Sequence, residues 1–239
     1  MIQKCKLADL NIEFDLVYDR TCDYLSAYSE NFETSDLYIK LTDSDFKNES
    51  KFSLEENHAL FHNKTLETTA VFRLMAEKLP LFDAAALHSC AFKVADKGIA
   101  FGAHSGTGKT THMLLWKKLL GDNFVVVNGD KPLIRFIGDE LYMYGSPWAG
   151  KEGLNNNIKV SLTDICKIER SETNETVPLS KEDAIEFLMK QIYMPMDPQM
   201  RIKTLELIYR IAEKVKFWKI KCNMELDAAE VAYNTIFEK

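Results

Sequence analysis

The chain has 239 residues and a formal net charge of −6, with 46% hydrophobic and 28% charged side chains. That composition belongs to a globular protein with enough apolar surface for a sizeable core. It argues against a nucleic-acid binder, which carries a basic excess or stripe.

Five cysteines, Cys5, Cys22, Cys90, Cys166 and Cys222, show neither a disulfide framework nor a Cys/His metal spacing. The first residues lack a signal-peptide pattern and no run reaches membrane-spanning length, so the expectation is a cytoplasmic protein with no membrane partner.

Residues 1 to about 50 alternate apolar and polar positions at Ile12, Phe14 and Leu16 and again at Leu37, Ile39 and Leu41, which predicts antiparallel strands. Ala70, Val71, Leu74, Met75 and Leu79 have helical spacing, and Pro80 is placed to stop that helix. Residues 1–80 are thus expected to form an N-terminal, mainly β segment plus a helix, ahead of a second unit, 81–239.

In that second unit, residues 97–102 read as a strand and 110–120 as a helix. Between them runs Ala103-His104-Ser105-Gly106-Thr107-Gly108-Lys109-Thr110, with Thr111 next. Strand, glycine-rich turn and helix in this order form a P-loop, with Ala103 where the pattern has its first glycine. Gly106 and Gly108 let the backbone aim several N–H groups at one point, and the helix adds its positive end. Residues 104–111 are therefore expected to hold the phosphates of ATP or another nucleoside triphosphate. Lys109 would reach the β- and γ-phosphates, and the Thr110 hydroxyl would ligate Mg²⁺.

Residues 124–127 read as a buried strand that ends at Asn128-Gly129-Asp130-Lys131-Pro132. An acid just past such a strand is where a P-loop protein keeps a carboxylate on or near its metal, so Asp130 joins Thr110 as a metal ligand. Residues 134–137 and 141–144 predict a hairpin. A strand at 165–168, helices near 181–194 and 198–215, a strand at 216–221 and a closing helix from about 225 follow. The lysines between 214 and 221 alternate with Val215, Phe217, Trp218 and Ile220, as on a strand with one solvated face.

Several of these residues together resemble the HPr kinase/phosphorylase-like family, whose fold is related to that of ATP-dependent phosphoenolpyruvate carboxykinase. They are His88 upstream of the P-loop, residues 105–112 with Leu115-Trp116, Asn128-Gly129-Asp130-Lys131-Pro132, and Gly145-Ser146-Pro147-Trp148 before Gly150-Lys151. The resemblance covers about residues 84–239. It implies an α/β (α+β) fold, a P-loop core of mixed sheet flanked by helices, and an ATP- and Mg²⁺-dependent kinase acting on a hydroxyl, such as a serine of a protein or peptide. Relatives carry two adjacent aspartates where this chain has Gly129-Asp130. By the resemblance Asp130 keeps the metal role and the proton-accepting acid is missing.

His88 is a candidate substitute base, and Lys131, with Arg135 behind it, a candidate to neutralise charge on a transferred phosphoryl group. Trp148 either closes over a ligand or packs. The loss at Gly129 leaves a second reading, a nucleotide-binding regulatory or accessory protein, which Gly129→Asp is expected to test. A third, a carboxykinase-like enzyme on a small carboxylate, needs cations converging on that carboxylate, and no arginine cluster is visible in the sequence. The acceptor, whether protein, peptide or small molecule, and the oligomeric state stay open.

Overall fold

The computed structural model describes residues 1–57 and 61–237. Its elements run β1 (Ile2–Leu7), β2 (Leu10–Asp15), α1 (Asp19–Leu25), β3 (Leu37–Lys40), α2 (Asp43–Asn57), α3 (Asn63–Lys78), β4 (Ala84–Ala86), β5 (Cys90–Val94), β6 (Lys97–Gly102), α4 (Lys109–Leu120), β7 (Phe124–Asn128), β8 (Leu133–Ile137), β9 (Glu140–Tyr144), β10 (Lys159–Arg170), β11 (Glu175–Pro178), α5 (Lys181–Gln191), α6 (Pro198–Lys214), β12 (Lys216–Cys222) and α7 (Leu226–Phe237).

The organising strand is β10. Its first residues pair antiparallel with β9, and beyond an irregularity between Leu162 and Asp164 the same strand pairs parallel with both β6 and β12. A bulge bends a strand and increases its twist. The sheet therefore forks at β10 into one wing of β9, β8 and β4, and another of β6, β5 and β7, with β12 and β11 alongside. Helices cover both faces. Residues of α5 and α6 pack with β8, β9 and β10 in one apolar cluster, while α4 and α7 pack with β5, β6 and β12 in another. The architecture is a mixed α/β sheet flanked by helices.

The N-terminal segment departs from the all-antiparallel expectation. β1 and β2 form an antiparallel hairpin, but β3 joins β2 in parallel. Helix α1 lies between β2 and β3, and a helical crossover returns the chain in the same direction. The segment is also more helical than alternation suggested, with α1 and α2 added to α3. One signal of α2 was present in the sequence: Thr42-x-x-Asp45 is a capping box. The Thr42 backbone N–H donates to the Asp45 carboxylate at 2.7 Å, and the Asp45 N–H to the Thr42 hydroxyl at 3.4 Å.

This segment shares one apolar cluster with the β4–β8–β9 wing. Phe14, Val71, Phe72 and Met75 pack together with Leu133, Tyr144 and Trp148. Trp148 is buried rather than poised over a ligand. Its ring centroid lies 4.9 Å from that of Phe72, and its indole N–H donates to the Thr68 carbonyl at 3.0 Å. Among the described residues, no helix is long and apolar enough to cross a membrane.

Candidate functional site

The parallel strands β6, β10 and β12 end on one side of the sheet, and the P-loop fills the space beyond β6. In such sheets the carboxyl ends of the strands are where loops form binding crevices. Gly106 and Gly108 sit at φ +76° and +113°, which L side chains rarely adopt, and Cβ atoms there would meet open space. Conformation, not crowding, demands glycine at these turns. The loop is then held from outside by Arg170, whose guanidinium donates to the carbonyls of Thr107, at 3.0 Å, and of Gly106. Carbonyls turned outward to Arg170 suit a loop whose N–H groups face inward. Sequence reading missed Arg170, which lies 63 residues from Thr107 and meets it only because β10 runs beside β6.

Four predicted side chains converge at the mouth of the loop. The Lys109 ammonium lies 3.1 Å from the Ala103 carbonyl and 3.3 Å from His88 Nε2. His88 Nε2 is also 3.4 Å from Asp130 Oδ1, and the Lys131 ammonium is 2.6 Å from Asp130 Oδ2. Thr110 sits behind them, its hydroxyl 3.5 Å from Cys90 Sγ. Thr107, Gly108 and Thr111 line a 420 Å³ cavity on one flank of the loop, and His104 and Thr107 a 470 Å³ cavity on the other. Ser105 is exposed at the tip.

Asp130 and Lys131 owe their position to Asn128, a fully buried residue. Its side-chain oxygen accepts the backbone N–H groups of Asp130, at 2.8 Å, and Lys131, at 2.7 Å, while its amide donates to Ser146. This is an Asx turn, in which the side chain stands in for a backbone acceptor. Ser146 in turn donates to the Lys131 carbonyl at 2.6 Å. The Asn128 and Gly145-Ser146-Pro147 segments, apart in sequence, thus fix the turn that carries Asp130 and Lys131.

The electrostatics follow from crowding several bases around one acid. Burial lowers the His88 pKa, and the Lys109 and Lys131 charges lower it further, against the opposing pull of Asp130. Burial likewise lowers that of Lys109. Burial and the two neighbouring ammoniums thus favour the neutral imidazole at His88, and Asp130 opposes them. Cys90, behind Thr110, donates to the Gly129 carbonyl at 3.0 Å and is pushed up to about 11 by burial, which makes it a packing thiol.

Two expectations need correction. Arg135 is not at the site: its guanidinium donates to the carbonyls of Phe82, Ala8 and Asp9 at 3.1, 2.9 and 3.1 Å, and ties the N-terminal hairpin to β8. Position 129 cannot take an acid cleanly either. A Cβ there would lie 2.9 Å from the Ala149 carbonyl oxygen, because the loop after Trp148 closes over Gly129. Gly129→Asp would displace backbone, and so does not test the site as expected.

The residues present fit a magnesium nucleotide. The loop is an open cradle of donors, an ammonium and a hydroxyl stand at its helix end, and a carboxylate faces them. Among the described residues, no three His, Cys, Asp or Glu side chains cluster as a metal cage.

No family model matches the chain, and no curated protein matches it in sequence. Among solved structures it is similar to the Hpr(Ser) kinase/phosphatase from Coxiella burnetii, with a TM-score of 0.36 and 10% identity, over 64% of this chain and 97% of that one. At that TM-score the likeness carries no functional inference, and the site's own residues must carry it.

Proposed function

We propose that the protein is an ATP- and Mg²⁺-dependent phosphotransferase that moves the γ-phosphoryl group to a hydroxyl. The observation that carries this reading is the gathering of basic groups at the loop mouth: Lys131 pairs with Asp130, His88 Nε2 lies 3.4 Å from the same carboxylate, and Lys109 lies 3.3 Å from His88. A site so built is completed by an anion.

Lys109 and the loop amides hold the phosphates, and Thr110 and Asp130 hold the metal. When bound, Mg²⁺ neutralises charge on the phosphate oxygens. The acceptor oxygen bonds to the γ-phosphorus as the bond from that phosphorus to the β–γ bridging oxygen breaks, and ADP departs. His88 Nε2 takes the hydroxyl proton. Lys131, 2.6 Å from Asp130, offsets charge on the group in transit. His88 thereby serves where the first acid of the resembled family's pair is replaced by Gly129. Phosphoryl transfer depends more on positioning and charge than on proton removal, so a single imidazole suffices.

Calorimetric titration of ATP and GTP, with and without Mg²⁺, followed by γ-phosphate release on the same samples, tests this. Lys109→Met is expected to lower Mg·ATP affinity at least about tenfold and turnover by about 10²–10³, as for loss of other transition-state charge contacts. Unchanged affinity would sink the phosphate assignment. The closed backbone over Gly129 favours one alternative, a nucleotide-binding regulatory protein, and tight Mg²⁺-dependent binding with no turnover on any hydroxyl would select it.

A further inference from the structure

A cavity of 320 Å³ opens beyond His88 and Lys131, between α3 and the C-terminal end of α5. Its wall carries cations, Lys131, Lys190 and Arg73, and no carboxylate. Their acidic partners, Asp130, Glu186 and Glu49, lie outside its lining. The three come from different elements, which is why no cationic cluster shows in the sequence. Phe72 and Tyr193 give the same wall an apolar side.

The cavity also has an orphaned polar group. Gln191 is 6% exposed, and its side-chain oxygen is buried without a hydrogen-bond partner. Buried polar atoms in native proteins nearly always have one, so an unmatched acceptor points to a missing donor. Gln191 packs on the strand that feeds the P-loop, its oxygen 3.2 Å from where a Cβ on Gly102 would stand. It lines both this cavity and the 470 Å³ cavity beside the loop. The His88 backbone N–H donates to the Gln191 carbonyl at 2.8 Å, so His88 and Gln191 adjoin where the two cavities meet.

We propose that this cavity is the acceptor site and that its ligand is a small hydroxy acid. His88, in the cavity wall, meets the hydroxyl beside Gln191, and Lys190 with Lys131 holds an anionic group, carboxylate or phosphate. The proposal rests on the phosphotransferase reading and narrows its acceptor from any hydroxyl to a small anionic one. The volume lies at the lower end of ligand pockets, roughly 300–1,000 Å³, which suits a molecule of a few carbons.

The test is calorimetric titration of the full chain with glycerate, glycerol 3-phosphate, glycerol and N-acetylserinamide, with ATP titrated separately into the same samples. At least one of the two anions is expected to bind tenfold or more tightly than glycerol, and the better of them identifies carboxylate or phosphate. Lys190→Glu changes a largely exposed side chain and should weaken that anion at least tenfold with Mg·ATP affinity unchanged. Gln191→Leu should weaken it similarly and lower turnover on it. Equal binding of glycerol or N-acetylserinamide, no anion binding, or indifference to Lys190→Glu would overturn the acceptor assignment while ATP binding stands. Anion binding that survives with no Mg·ATP binding would instead overturn the phosphotransferase reading, and the acceptor role with it.

Discussion

Two charged clusters of similar composition lie on this protein and do different work. At the N-terminal junction, Asp9 accepts from Lys159 at 2.7 Å and from the Tyr144 hydroxyl at 2.8 Å, while Arg135 spends its donors on backbone carbonyls. At the P-loop mouth, Lys131 and His88 contact Asp130, and Lys109 reaches His88 from the loop. The first cluster is matched donor to acceptor and closes a structure. The second carries more bases than acids in contact, with its histidine pKa lowered by burial and by the neighbouring ammoniums. Matching, rather than residue type, separates a tie from a site.

The sharpest way to break this contrast is Asp130→Asn. It removes the acid that Lys131 and His88 contact, and phosphoryl transfer is expected to fall by about 10²–10³ while the fold persists. The same change should displace the acid limb of the residual rate. A base must be unprotonated to act, so activity declines as pH falls through the His88 pKa, which lies below its usual 6.5. Without Asp130 to favour the charged form, that limb moves lower still. An acid limb above pH 6.5 in the wild-type rate profile would exclude His88 as base.

His112 sharpens the comparison from the other direction, because burial alone, with no neighbouring charge, sets its state. It lies 2% exposed on α4, accepts the Trp116 indole N–H at 3.3 Å, and is lowered to about 4 by burial. A depressed pKa means that the unfolded chain binds the proton more readily. This contribution is therefore full above pH 6.5 and is lost as pH falls toward 4, by about 3 kcal/mol over the window. Denaturant titrations across that range should show the slope, and His112→Leu should flatten it. An equal slope in the variant would place the acid sensitivity elsewhere.

The smallest expected effect is at the matched cluster. Arg135→Met removes three hydrogen bonds to carbonyls and should cost about 1–3 kcal/mol in urea unfolding, with Mg·ATP affinity unchanged. A change in nucleotide affinity there would erase the distinction between the clusters.

Much of the site was legible locally. Gly106, Gly108, Lys109 and Thr110 are adjacent in sequence, and their roles depend on a turn that three or four residues specify. Asp130 was legible because it follows an apolar run, and β6, α4 and β7 because their periodicity is strong. What resisted reading depends on residues brought together over long separations: Arg170 on the loop carbonyls, Asn128 with Ser146, and Gln191 against Gly102. Arg135 was misread for the same reason, since four residues from Lys131 along a strand says nothing about which backbone lies beside it.

The sequence by itself determined a glycine-rich turn between a strand and a helix, the acid and cations that follow the next strand, and a core of alternating and helical apolar patterns. Those are local because backbone conformation and side-chain period are properties of a few neighbouring residues. Only the tertiary structure decided that β3 runs parallel, that the sheet forks at β10, that position 129 is sealed by the Ala149 carbonyl, and that cations from three elements face one cavity. Each is a matter of which distant surfaces meet, and that is settled by packing the whole chain around its buried strands.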